Sequence, residues 1–204
     1  ADKIKIIDIL LKAGKASPTE ILDVIEAGEP EKTTPLYISC EQGNIELFYT
    51  ILKYIPTEQL ETQVSWQNLK GTSCLWIACC NKHTDIVTEL LGMCADPNIV
   101  NLRGDSPLIP TCQKGSESIV QLLLAYGCDL EKFNPERENA LMVCCRNGQS
   151  KLLDLILSHI QTNFEPGKLR YYLDWCAKID GFNPIMSAVE LGNIECLKVI
   201  YKYD

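Results

Sequence analysis

The stretch Ser106-Pro107-Leu108-Ile109, followed by Thr111-Cys112, Gly115 and Ile119-Val120-Gln121-Leu122-Leu123-Leu124, decides the fold. Pro is tolerated in a first helical turn, where its missing N–H would have had no partner. The small pair at 111–112 lets a neighbouring helix approach closely. Gly115 suits a tight turn that needs positive φ. After it, apolar residues return three and four positions apart, as an amphipathic helix requires. The pattern predicts two short antiparallel helices, the first with small residues and the second with large ones.

Working outward, the same pattern recurs. Thr34-Pro35-Leu36-Tyr37, Ser73-Cys74-Leu75-Trp76, Asn139-Ala140-Leu141-Met142 and Asn183-Pro184-Ile185-Met186 match the opening string. Their apolar third members, with Leu108, fall at 36, 75, 108, 141 and 185, at intervals of 39, 33, 33 and 44. That is one 33-residue period with insertions of 6 and 11 residues. Thr34, Ser73, Ser106, Asn139 and Asn183 stand where a helix N-cap belongs. The turn position holds Gly43, Lys82, Gly115, Gly148 and Gly192, so the turn at Lys82 is expected to be less relaxed. No single pair can bury its apolar face alone, whereas stacked pairs can, so the expected fold is an all-α repeat solenoid.

Segment 4–14 matches a second helix with its closing Gly, and residues 196–200 complete the last second helix. The expected organisation is one repeat domain over 1–204, cut at both ends from a longer polypeptide. It has a partial repeat at 1–14 and repeats near 29–55, 68–100, 101–133, 134–163 and 178–204. Insertions fall near 15–31, 56–70 and 164–180. The first of these predicts a short extra helix begun by Ser17-Pro18 and stopped near Gly28 and Pro30.

Composition narrows the functional classes. A hydrophobic content of 46% excludes an intrinsically disordered chain, and no apolar run approaches the roughly 18–20 residues of a membrane helix. The opening residues lack a signal-peptide pattern. Nineteen basic against twenty-seven acidic residues give a charge of -8, a sign that repels nucleic acid and favours protein or peptide partners. The eleven cysteines lie mostly inside apolar periodic segments, which predicts reduced thiols in a cytoplasmic or nuclear compartment.

These strings and this period resemble the ankyrin repeat family. The family's Gly, any residue, Thr-Pro-Leu-His opening is met in dilute form. Gly71, Gly104 and Gly181 supply its first glycine, while Lys32 and Arg137 replace it. The family histidine becomes Tyr37, Trp76, Ile109, Met142 or Met186, which places the family's internal hydrogen bond in question and leaves packing to hold the first turns. His83 keeps the Gly-His position, and Cys94-Ala95-Asp96 and Gly127-Cys128-Asp129 match the closing string. The resemblance implies β-hairpin-like fingers between repeats and recognition of folded partners or extended peptides on a concave face of finger tips and first helices.

Carried onto this chain, that face includes Leu69, Lys70 and Thr72, then Leu102, Arg103 and Asp105 with Gln113 and Lys114. Glu136 and Glu138 with Arg146 and Asn147 follow, and Phe182 and Glu190 complete it. Rim charges would select a partner and apolar or Arg positions would add affinity. The insertion at 164–180 carries Tyr171, Tyr172 and Trp175, which either dock on neighbouring helices, the favoured reading, or anchor a partner.

Catalytic and cofactor motifs are not evident. No Gly-rich phosphate loop is present, and His83 and His159 have no triad arrangement. Cys79, Cys112 and Cys145 are spaced by 33, on helices expected about 8–10 Å apart. Thiolates on one zinc ion lie only about 4 Å apart, so no metal or cofactor is expected. The leading expectation is a non-enzymatic interaction module or scaffold. Its alternatives are the substrate-recruiting region of an enzyme or effector whose active site lies outside this chain, and a structural spacer.

Overall fold

A computed structural model of the chain describes residues 33–175 and 183–203. The repeat segment expected at 1–14, the helix expected within 15–31 and Phe182 lie outside the described residues. The chain forms two compact units, Ala1–Leu102 and Arg103–Asp204. Among the described residues both are built of helices, twelve in all.

The first unit contains α1 (Pro35–Gln42), α2 (Ile45–Leu52), α3 (Thr57–Ser65), α4 (Cys74–Cys80) and α5 (Thr84–Gly92). Helix α1 packs against α4, and α2 against α5, so first helices meet first helices and second helices meet second helices. Phe48 of α2 is fully buried. Helix α3, inside the insertion at 56–70, buries only Val64, and Trp66 just beyond it meets the ring of Tyr37 edge-on at 6.4 Å.

The second unit contains α6 (Leu108–Lys114), α7 (Glu117–Ala125), α8 (Ala140–Arg146), α9 (Ser150–Asn163), α10 (Lys168–Trp175), α11 (Pro184–Glu190) and α12 (Ile194–Tyr203). Helices α6, α8 and α11 form one row, and α7, α9 and α12 a second row against it. The anchors Leu36, Leu75, Leu108 and Leu141 occupy matching buried places, while Ile185 is exposed.

Capping explains where the first helices begin. The side chains of Thr34, Ser73, Asn139 and Asn183 accept from the N–H groups of Tyr37, Trp76, Met142 and Met186, at 3.2, 3.1, 3.0 and 2.8 Å. Ser106 does not cap, and its buried hydroxyl has no partner. Pro110 supplies the reason. In the other four repeats the carbonyl of the capping residue receives the N–H four positions on, as in Val143 to Asn139 at 3.0 Å. Pro110 has no N–H to give, so Ile109 donates to the Ser106 carbonyl instead, at 3.2 Å, and the helix opens with a tighter turn.

The turn between the helices of each pair is equally regular. Gly43, Lys82, Gly115, Gly148 and Gly192 all adopt φ between 63° and 75°. The N–H of the next residue closes the turn each time, as in His83 to the Ala78 carbonyl at 3.0 Å and Gln149 to the Cys144 carbonyl at 2.9 Å. Lys82, at φ 63°, keeps this geometry at the steric expense of its Cβ rather than reshaping the turn. Lys82→Gly is therefore expected to stabilise the protein by about 0.5–1 kcal/mol, the relief of left-handed strain outweighing glycine's greater freedom when unfolded. Urea titration checks this, and an unchanged midpoint would show that the turn carries no strain.

Thiols line the contacts between successive repeats. Cys40 is hydrogen-bonded to Cys74, Cys144 to Cys112 and Cys145 to Cys196. Burial, then the neighbouring Cys74, pushes the Cys40 thiol well above its ordinary range. The hydrogen bond with Cys112, then burial, does the same for Cys144. Burial raises Cys128 to about 12.

Candidate protein-interaction surface

The fingers between repeats are organised by an asparagine. In the first unit, the Asn68 N–H donates to the Thr72 carbonyl at 3.1 Å, and Gly71 N–H returns to the Asn68 carbonyl at 2.8 Å. The Asn68 side-chain oxygen accepts from the N–H groups of Lys70 and Thr72, at 2.9 and 3.0 Å. Gln67 and Ser73 pair across the base as a single antiparallel bridge. Gly71 sits at φ 71°, and a Cβ there would meet the Leu102 backbone nitrogen. The Leu102 N–H donates to the Lys70 carbonyl at 3.0 Å, which joins one finger to the next. Leu69 and Leu102 are left at the tips, 55% and 79% exposed.

The finger of the second unit repeats this turn with different chemistry. Asn134 N–H donates to the Glu138 carbonyl and Arg137 N–H to the Asn134 carbonyl, both at 2.9 Å. Glu138 N–H donates to the Asn134 side-chain oxygen at 2.7 Å, and Asn134 Nδ2 donates to Glu138 Oε2 at 3.0 Å. Arg146 Nη2 lies 2.6 Å from the same oxygen. Arg137 takes the left-handed place that Gly71 holds in the earlier finger, at φ 60°.

Comparison of the two fingers explains an unpaired group. Asn68 Nδ2 is buried without a partner. The residue equivalent to Glu138 is Thr72, which has no carboxylate, and its hydroxyl lies 2.9 Å from the Tyr37 hydroxyl. Tyr37, at the family histidine position, thus does reach the next finger by a hydrogen bond. The first turn of α1 is held by that polar contact as well as by packing.

A second clasp joins repeats at their turns. His83 packs over Gly43, and its Nε2 lies 3.1 Å from the Glu41 carbonyl, which also accepts from Asn81 Nδ2 at 2.8 Å. Gln149 lies over Gly115. Asn193 lies over Gly148 and donates to the carbonyls of Cys145 and Arg146, at 2.7 and 3.1 Å. A side chain at each of these turns would collide with the next repeat's imidazole or amide.

The residues expected to bind fall into distinct places. Leu69, Lys70, Leu102, Arg103, Gln113, Lys114, Glu136, Arg146, Asn147 and Glu190 are exposed. Thr72, Asp105 and Glu138 are buried at the returning arms of the fingers, and the N–H groups of Thr72 and Glu138 close the turns there. Arg103 Nη2 pairs with Glu136 at 3.2 Å, and its Nε lies 3.8 Å from Asp105. In the insertion at 164–180, Tyr172 is buried and meets Phe164 edge-on at 6.0 Å, with α10 packed on α9. Tyr171 is half-exposed beneath the Lys168 ammonium, 4.4 Å from its ring centre, and the side chain of Trp175 lies outside the described residues. The organising asparagines were missed in the sequence, although Asn68, Asn101 and Asn134 stand 33 residues apart.

Among the described residues, no group of three or more His, Cys, Asp or Glu side chains is arranged to hold a metal ion. No described helix is long and apolar enough to cross a membrane. A cavity of about 280 Å³, lined by Gly148, Gly192, Asn193, Ile194, Glu195 and Cys196, lies at the α11–α12 turn.

Paired short helices, repeated turns and polar fingers define a helical repeat protein. A family model described as ankyrin repeats, in three copies, matches residues 1–101 and 75–167. The chain belongs to the ankyrin repeat family. No curated protein matches the sequence.

Proposed function

We propose that the chain is a protein-binding module that seats a protein or peptide partner on its finger tips and the exposed faces of its first helices. Ankyrin repeats are generally modules of protein–protein interaction. The observation that carries the finer reading is the exposure of Leu69 and Leu102 on fingers tied together through the Lys70 carbonyl. Two large aliphatic side chains held in water by a rigid turn lose little freedom on meeting a partner, so their burial adds directly to affinity. Lys70 beside Leu69 adds a charge that favours an acidic rim on the partner.

The test is affinity capture with the wild-type chain and a Leu69→Asp/Leu102→Asp double variant, followed by titration of the recovered partner. The double variant is expected to unfold at the wild-type temperature and to bind at least about tenfold more weakly, a loss of about 1.4 kcal/mol. Equal affinity in both would remove the finger tips from the interface.

A further inference from the structure

One of the thiol pairs between repeats adjoins a cavity. Cys145, in the last turn of α8, is hydrogen-bonded to Cys196, in the first turn of α12. Asn193 holds these two turns together, because its Nδ2 donates to the Cys145 and Arg146 carbonyls at 2.7 and 3.1 Å. The cavity of about 280 Å³ at the α11–α12 turn has Cys196 in its wall, beside Asn193, Ile194 and Glu195. A water takes up about 30 Å³ of its liquid, so hydrogen peroxide, with two oxygens, fits this space. Cys196 is otherwise shielded from bulk solvent, which leaves the cavity as the approach for a reactant of that size.

The two sulfurs are not equivalent. Cys196 is the third residue of α12, where the unpaired N–H groups of a first helical turn favour a negative charge. The hydrogen bond from Cys145 lowers the Cys196 thiol below its ordinary range, against burial and the neighbouring Glu195, which raise it. The same hydrogen bond, then burial, pushes Cys145 up. The arrangement makes Cys196 the nucleophile and Cys145 the thiol held beside it. Cys144 is turned to another partner, being hydrogen-bonded to Cys112, and it is the Cys144 carbonyl that lies 3.9 Å from the Cys196 sulfur.

We propose that Cys145 and Cys196 form a peroxide-sensitive thiol pair that closes to a disulfide linking α8 to α12. The Cys196 thiolate attacks one oxygen of hydrogen peroxide. The O–O bond breaks, and the hydroxide that leaves takes up a proton to become water. Peroxide is reduced and Cys196 is oxidised to the sulfenic acid. The Cys145 sulfur then attacks the Cys196 sulfur, the S–O bond breaks, and hydroxide leaves with the Cys145 proton as a second water. A sulfur–sulfur bond is about 2.05 Å long, shorter than a hydrogen bond between thiols, so closure draws the start of α12 onto the end of α8. A thiol reductant returns the pair to its starting state.

The test treats the reduced full chain with a small excess of hydrogen peroxide, blocks the remaining thiols after acid quenching, and maps linked tryptic peptides by mass spectrometry. The expected product is an intrachain linkage of Cys145 to Cys196 that dithiothreitol removes and that is far rarer when peroxide is added to the chain in urea. Trypsin leaves Cys144 and Cys145 in one peptide, so Cys144→Ala, which should retain the linkage, assigns the partner. Should that variant fail to fold, fragment ions of the wild-type peptide assign it instead. Cys145→Ala should leave Cys196 as a sulfenic acid that dimedone traps. Linkage among other cysteines in place of this pair would overturn the proposal, as would a Cys145–Cys196 linkage equally frequent in the folded chain and in urea.

Discussion

Replacing Leu141 with Ala is expected to cost about 2–5 kcal/mol of stability, while the same truncation at Ile185 costs less than about 1 kcal/mol. Both residues are the apolar anchor of a first helix, and they differ in what surrounds them. Helix α8 lies between α6 and α11 with α9 behind it, so a cavity at Leu141 has neighbours on every side that are themselves pinned. Such a site collapses poorly, and the lost packing adds to the lost transfer energy. Ile185 is already partly in water, and alanine improves the helical propensity of α11. Chemical denaturation of the two variants, compared at equal slope, gives the difference directly. Equal costs would mean that the two positions are equivalently packed and that the exposure of Ile185 carries no energetic weight.

The second large effect is expected at a polar site. Glu138→Ala should destabilise the protein by about 2 kcal/mol, mainly because Asn134 Nδ2 loses its acceptor inside a buried turn. Loss of the Arg146 ion pair adds little, since that guanidinium is half-exposed and regains water. Glu138→Gln retains an oxygen for Asn134 and should cost less than half as much. The earlier finger shows that a turn can form without this acceptor, because Asn68 Nδ2 has none. There the Tyr37 and Thr72 hydroxyls supply a bond that Ile109, standing in the place of Tyr37 before the Glu138 finger, cannot make. If Glu138→Ala unfolds with wild-type stability, the backbone bonds of the finger hold it unaided.

Most of the fold was legible because it rests on short-range rules applied repeatedly. Leu36, Leu75, Leu108 and Leu141 announce their burial by interval, and Gly43, Gly115, Gly148 and Gly192 their turns by residue type. The failures come from features that depend on a particular neighbour. Ser106 has the composition of a cap, but Pro110, four residues later, removes the donor that would have ordered the usual first turn. Thr72, Asp105 and Glu138 were placed on the binding face as polar finger residues, yet position within the turn directs them inward. Helix α3 offered a single buried residue, Val64, too little for an apolar stripe to stand out. In α10 the buried pair Tyr172 and Leu173 sits beside charged residues, and its helical character depends on docking against α9. The places of the fingers were readable from the period, whereas which finger residues face solvent required the turn hydrogen bonds.

The sulfur atoms between repeats give the molecule a set of internal clocks. Cys40, Cys74 and Cys79 are shielded in one unit, and Cys112, Cys144, Cys145 and Cys196 in the other, while Cys94 stands in the open. A thiol-specific alkylating reagent can reach the shielded groups only when the helices around them part, so each alkylation rate records the opening frequency of one junction. Cys94 calibrates the intrinsic chemistry in the same tube. Without any added label, the chain reports which of its joints loosens first.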